Sequence, residues 1–152
     1  MVALLIVSLA LGIGEVGTVA LEVLPVEAAL LADLPQAELK VTVDGRTTTY
    51  AGVPLAAVLG KRAAPIEGMP GIRDLADAVI LVRGEDGYQA AVSAAAVAMD
   101  PNGERYLLAT RLDGQARKPQ LIIPADPKRA RWVRDIKAIR LARLGLVTSP
   151  NP

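Results

Sequence analysis

The residue types with most chemical potential fall in one stretch near the C-terminus, Pro119-Gln-Leu-Ile-Ile-Pro-Ala-Asp-Pro-Lys-Arg-Ala-Arg-Trp-Val-Arg-Asp-Ile136. It carries the only Trp of the chain, Trp132, among Lys128, Arg129, Arg131 and Arg134. Guanidinium groups donate in pairs to acceptor oxygens, and an indole face takes a flat ring or a cation, so the combination suits a flat anionic ligand. Asp126-Pro127 ahead of the cations favours a turn followed by a helical start, whose backbone amides would add donors for an anion. The other reading of the same cations is a solvated strand edge guarded by Lys and Arg.

A second set of groups lies at Gly84-Glu-Asp-Gly-Tyr88, two carboxylates beside an aromatic at a strand end. Asp86 could accept two hydrogen bonds from the donor edge of an aminopyrimidinone ring. It could equally serve turn geometry alone, since Asp-Gly occurs in many hairpins.

Composition narrows the chemistry. The 152 residues contain no Cys and no His. That removes thiol nucleophiles, imidazole acid–base work, catalytic triads and zinc sites of the usual kind. A metal would need oxygen ligands or a cofactor that carries it, and no metal-binding residue is expected. Net charge is +1, but Arg117 to Arg143 holds nine Lys/Arg against Asp126 and Asp135. That local excess of seven points to an anionic partner. Nucleic acid is not expected, because the three Tyr are not interleaved with the cations and the pI is near 8.0. Gly12-Ile-Gly14 lacks the third Gly of a dinucleotide fingerprint, and no carboxylate pair can be set face to face for glycoside chemistry.

The elements that must position these groups read as an aliphatic α+β domain, with 52% hydrophobic residues and no Phe. Met1 to Gly14 is an apolar run of signal-peptide length without a basic flank, either an export signal or a buried first element. Thr18–Leu24 reads as a strand and Val26–Leu34 as a helix between Pro25 and Pro35. Glu38–Val43 and Thr47–Tyr50 alternate in the strand period across Asp44-Gly45, a hairpin signal. Val53–Leu59 reads as a helix with Pro54 in its first turn and Gly60 as its stop. Lys61–Leu75 is a Pro/Gly-rich loop with at most a short helix in Ile72–Leu75. Ala78–Val82 is apolar throughout and reads as a central strand, and Tyr88–Val92 returns after Gly84–Gly87. Ser93 caps a short Ala-rich helix ending before Pro101. Tyr106–Thr110, Gln120–Ile123 and Lys137–Leu141 are further strands, the first two joined through Asp113-Gly114. Hairpins with short interposed helices argue for a mixed β-sheet α+β domain over residues 17–146, with 1–16 as the apolar leader segment and 147–152 as a flexible tail.

Taken in order and spacing, Tyr50-Ala-Gly-Val-Pro-Leu55, Glu85-Asp-Gly-Tyr-Gln-Ala-Ala-Val-Ser93, Leu112-Asp-Gly114, Gln120-Leu-Ile-Ile-Pro124 and Arg131-Trp-Val-Arg-Asp-Ile136 resemble the oxidoreductase molybdopterin-binding domain of sulfite-oxidase type, over roughly Val19 to Leu141. The resemblance implies a mixed α+β fold. Enzymes of that family hold molybdenum through a Cys and use His in the cofactor pocket; this chain has neither. It is similar instead to small stand-alone members, exported proteins of which some bind a reduced pterin (a tetrahydropterin) without metal and act with a membrane signalling partner. That likeness implies a pocket built from Asp86, Tyr88, Arg129, Arg131 and Trp132, with Arg83 as a further position. It implies no catalysis, a pterin in preference to molybdopterin, and a periplasmic or otherwise exported protein; a cytoplasmic one follows if the N-terminal run belongs to the domain. The alternatives are a molybdopterin-dependent oxidoreductase with unusual metal ligation and a degenerate domain used for protein–protein contact. A pocket between the Glu85-Asp86 turn and Trp132, with the guanidinium groups of both Arg129 and Arg131 pointing into it, is the geometry the pterin reading requires.

Overall fold

A computed structural model describes residues 15–24, 26–61 and 75–147. The apolar run Met1–Gly14, the helix-opening Pro25, most of Ile72–Leu75 and the tail beyond Val147 lie outside the described residues. The described residues form eight strands interspersed with three short α-helices: β1 Glu15–Leu24, α1 Ala28–Ala32, β2 Ala37–Val43, β3 Arg46–Pro54, α2 Leu55–Leu59, β4 Ala78–Gly84, β5 Gln89–Ser93, α3 Ala94–Ala98, β6 Leu107–Leu112, β7 Gln115–Ile122 and β8 Ile136–Val147.

The fold is α+β, with the strands divided between two four-stranded sheets ordered β1-β8-β4-β5 and β2-β3-β6-β7. Every described strand pair is antiparallel. Five-residue helices are too short for the crossovers that parallel neighbours need. Each of them instead carries the chain from one sheet to the other: α1 from β1 to β2, α2 from β3 to β4, α3 from β5 to β6. The fourth such passage, from β7 back to β8, is the basic Trp132 segment, and it contains no α-helix.

Local chemistry accounts for the hairpins. Asp44-Gly45 and Asp113-Gly114 both take positive φ (51° and 76°, 47° and 79°), the two-residue turn that matches strand twist. Asp113 also ties the second hairpin to the first, its Oδ1 accepting from the Thr49 amide at 2.8 Å. Ser93 caps α3 as its type suggests, with Oγ accepting from the Ala96 amide at 3.2 Å. α2 is shorter than Val53–Leu59, because Val53 and Pro54 finish β3. α1 keeps only the middle of Val26–Leu34. β8 is far longer than Lys137–Leu141, since it pairs with β1 on one side and β4 on the other.

The main core fills the space between the sheets, with Val53, Leu108 and Leu121 from one sheet and Ile80, Val82 and Ile139 from the other. A smaller cluster, Val41, Tyr50, Leu107, Ala109 and Ile122, lies on the second face of the β2-β3-β6-β7 sheet, and Trp132 packs against both. Among the described residues no helix is long and apolar enough to cross a membrane.

One buried carboxylate holds the passage from α3 into β6. Asp100, 7% exposed, accepts from the amides of Glu104, Arg105 and Tyr106 at 3.1, 3.0 and 2.9 Å. Tyr106 in turn accepts the Leu55 amide at 2.9 Å. Asp100→Ala orphans three donors and is expected to lose about 3 kcal/mol or more in urea unfolding. Asp100→Asn, which keeps an acceptor oxygen, is expected to lose less. Equal losses for the two would show that one neutral acceptor oxygen does not hold the passage and that both carboxylate oxygens are required.

Candidate functional site

The Gly84–Gly87 turn closes on itself and on the β7–β8 passage. Gly84 donates to the Tyr88 carbonyl at 2.9 Å, Gly87 to the Gly84 carbonyl at 3.1 Å, and Glu85 to the Asp135 carbonyl at 2.9 Å. Asp86 Oδ1 accepts from the Tyr88 amide at 2.9 Å, so the turn-geometry reading of Asp86 is correct for one oxygen. Oδ2 has no partner among the described residues, which leaves it open to an incoming donor. Outside the turn, Lys118 Nζ meets both oxygens of Glu85 at 2.9 Å. That hydrogen bond, with the carboxylate charge, raises the Lys118 pKa, but both side chains are exposed and the pair contributes little to stability.

The Trp132 segment differs from the helical start expected of Asp126-Pro127. Only a 3-10 turn, Pro127–Arg129, forms, and Lys128 and Arg129 have positive φ of 53° and 56°. Four of its amides are spent internally: Arg129 on the Asp126 carbonyl, Ala130 on Pro127, Trp132 on Arg129, and Arg131 on Asp126 Oδ2. The helix-terminus anion site anticipated from sequence is therefore not formed. Two adjacent left-handed residues other than glycine cost about 1–3 kcal/mol each, strain tolerated where the surroundings dictate the backbone. Two contacts dictate it here. Arg131 donates from its amide and Nε to Asp126 Oδ2 at 3.1 and 2.9 Å and from its terminal nitrogen to Oδ1, and Tyr88 Oη donates to the Ala130 carbonyl. The hydrogen bonds to Asp126, opposed by partial burial, raise Arg131 above the ordinary guanidinium range.

Trp132 is anchored from two directions. Its Nε1 donates to the Ile123 carbonyl at 2.7 Å, and Tyr50 meets it in a T-shaped contact at 5.7 Å and 87°. The Arg129 guanidinium carbon lies over the indole, 5.4 Å from its centroid. The following residue, Val133, bridges to Leu121, with the Leu121 amide donating to its carbonyl at 2.8 Å, and thus clips the segment to β7.

Between these parts opens a cavity of about 880 Å3, of the size that takes a small molecule. Asp86 and Tyr88 from the turn, and Arg129 and Trp132 from the β7–β8 passage, all line it. Four of the six residues proposed from sequence thus meet at one place. Arg131 and Arg83 do not line it. Arg131 faces Asp126 instead of the cavity, and Arg83 stands exposed on β4, opposite Gln89 and Ala138. The geometry with both guanidinium groups pointing in is accordingly corrected to one, that of Arg129. Four contributors from the β2–β3 hairpin were not foreseen as a wall: Val41, Thr42, Val43 and Asp44. Lys128 and Arg134, noted only as members of the basic cluster, line it as well. Asp44-Gly45 signals a turn, but nothing local in it says what the turn leans over. The cavity therefore carries Asp44, Asp86 and the Arg131-paired Asp126 as well as Lys128, Arg129 and Arg134, groups able to accept from one edge of a polar ring and donate to another. Among the described residues no group of three or more Asp or Glu is placed to hold a metal ion. Compared with known proteins, the chain matches no family model, and no curated protein matches it.

Proposed function

We propose that this chain is a non-catalytic pterin-binding protein whose ligand lies in the cavity between the Gly84–Gly87 turn and Trp132. The observation that supports this reading is the convergence of Asp86, Tyr88, Arg129 and Trp132 on one cavity from two separate segments. Asp86 Oδ2 accepts from the amino and ring N–H edge of the pterin, and the aromatic side chains flank the bicycle. Lys128 and Arg134, which also line the cavity, face its carbonyl and side chain. Arg131 plays no direct part; it holds the passage in shape through Asp126. The resemblance in sequence supports a reduced pterin, an exported protein and a membrane signalling partner.

The only Trp of the chain stands in the cavity wall, which makes its fluorescence a local reporter. Titration with tetrahydropterin is expected to quench Trp132 and to raise the thermal midpoint. Asp86→Asn keeps the Oδ1 acceptor for the Tyr88 amide and removes the charge. Hydrogen bonds to a charged group contribute about 1.5–3 kcal/mol, so this variant is expected to bind about 10- to 150-fold more weakly at unchanged stability. Absence of quenching and of any thermal shift with reduced pterins would reject the proposal.

A further inference from the structure

Arg129 stands where a ligand ring would stack. Its guanidinium, flat and rich in N–H groups like the edge of an aminopyrimidinone, lies 5.4 Å from the Trp132 centroid inside the cavity that both residues line. Among the described residues it forms no ion pair, although Asp44 and Asp86 line the same cavity. The neighbouring Arg131 is locked to Asp126 by three donors, so the two adjacent guanidinium groups differ sharply in how firmly they are held. Arg129 is exposed, and among the described residues its guanidinium is held by the indole face without a hydrogen bond or ion pair. The other requirements of Trp132 are met elsewhere, its N–H by Ile123 and a ring contact by Tyr50, so the indole stays in place whether or not Arg129 covers it.

From this we infer that Arg129 is a removable cap on Trp132, an internal competitor that a flat ligand displaces on binding. The inference rests on the pterin reading only for the identity of the ligand; the cap itself is a property of the free protein. Its consequence is selectivity. A guanidinium over an indole at an exposed site is held weakly, so a ring with a full π-face displaces it, while a small non-planar solute gains no stacking to offset the loss. The backbone favours the capped arrangement, because Lys128 and Arg129 are kept in the left-handed region by the Asp126–Arg131 pair and the Tyr88–Ala130 hydrogen bond on either side of them. Arg129 thus lowers the apparent affinity for the ligand, in contrast to a cation that grips it.

Two variants and two measurements test the cap. Arg129→Ala removes it, and Arg129→Lys keeps the charge but loses the planar group. Acrylamide, a neutral quencher insensitive to the altered charge, is expected to reach Trp132 more readily in both variants than in the wild-type protein. A tetrahydropterin with a methyl side chain is expected to bind Arg129→Ala about two- to five-fold more tightly, the factor set by a cation–π contact at an exposed site. Weaker binding to Arg129→Ala would make Arg129 a ligand contact and overturn the inference, as would unchanged acrylamide quenching. Should neither protein bind the pterin while acrylamide access rises in the variants, the cap stands and the pterin reading alone fails.

Discussion

Gly52→Ala is expected to leave the protein unfolded, or at best to lower its stability by about 4 kcal/mol or more, a loss confined to a few named mechanisms. Gly52 sits on β3 where the pairing with β6 slips by one residue, between Ala51↔Arg111 and Gly52↔Ala109. The slip sets the two backbones unusually close. A Cβ at position 52 would fall inside contact distance of the Leu108 carbonyl oxygen, 2.7 Å from Ala109 Cα and 2.9 Å from the Leu108 carbonyl carbon. All three are backbone atoms in the middle of a sheet, so no side chain can swing aside. Relief requires β3 and β6 to part, which opens the main core at Val53 and Leu108 and the smaller one at Tyr50 and Ala109. The hairpin that carries Thr42, Val43 and Asp44 to the cavity hangs on β3 and would move with it. Far-ultraviolet dichroism and urea unfolding read the effect. A cooperative transition within about 1 kcal/mol of wild type would show that the sheet accommodates a methyl group there and that the close approach is not required.

Legibility in the sequence followed the range of the interaction. Turns and caps depend on a few adjacent residues, and Asp44-Gly45, Asp113-Gly114 and the Ser93 cap are all where residue type puts them. The α+β class was legible for the same reason, from strand-period runs broken by short helical ones. The division into two sheets was not, because it is decided by which hairpin pairs with which, and β8 joins β1 and β4 from more than fifty residues away in sequence. Its full length was hidden as well, since Leu141 and Ala142 are both buried and break the alternation that marks a half-exposed strand. Gly52 was hidden too: it fell between Thr47–Tyr50, read as a strand, and Val53–Leu59, read as a helix, so nothing local placed it inside a strand that runs on to Pro54. In the site, the resemblance named Asp86, Tyr88, Arg129 and Trp132 together, and all four line one cavity, but it could not separate Arg129 from Arg131. The two are the same residue type two positions apart, and what distinguishes them is Asp126, which takes one guanidinium out of the cavity. Asp44 was invisible as a wall because its place depends on the hairpin leaning over a segment eighty residues later.

Gly84→Ala is expected to take the candidate site apart while leaving the fold. Gly84 ends β4 where its pairing with β8 slips between Arg83 and Gly84, so the turn packs flush against the β7–β8 passage. A Cβ there would lie 2.6 Å from the Arg134 carbonyl oxygen, 2.9 Å from Asp86 Oδ1 and 3.3 Å from Val133 Cγ1. Two of those contacts fall on residues that line the cavity from separate segments, Asp86 on the turn and Arg134 in the β7–β8 passage, while Val133 between Trp132 and Arg134 is buried in the main core. The added methyl therefore acts as a wedge between the walls. Overpacking of this kind costs about 1–3 kcal/mol, within reach of a 152-residue domain that keeps both of its cores. The wedge pushes Asp86 Oδ1 away from the Tyr88 amide and strains the Tyr88–Ala130 hydrogen bond that spans the same gap. Tetrahydropterin affinity is expected to fall by more than about tenfold, since the donor edge and the stacked face of the ring can no longer be met together. Comparison with Asp86→Asn separates the two contributions: that variant loses affinity at constant stability, whereas Gly84→Ala loses both. If Gly84→Ala lowers stability and leaves affinity untouched, the ligand does not span the gap between turn and Trp132, and its site lies elsewhere on the protein.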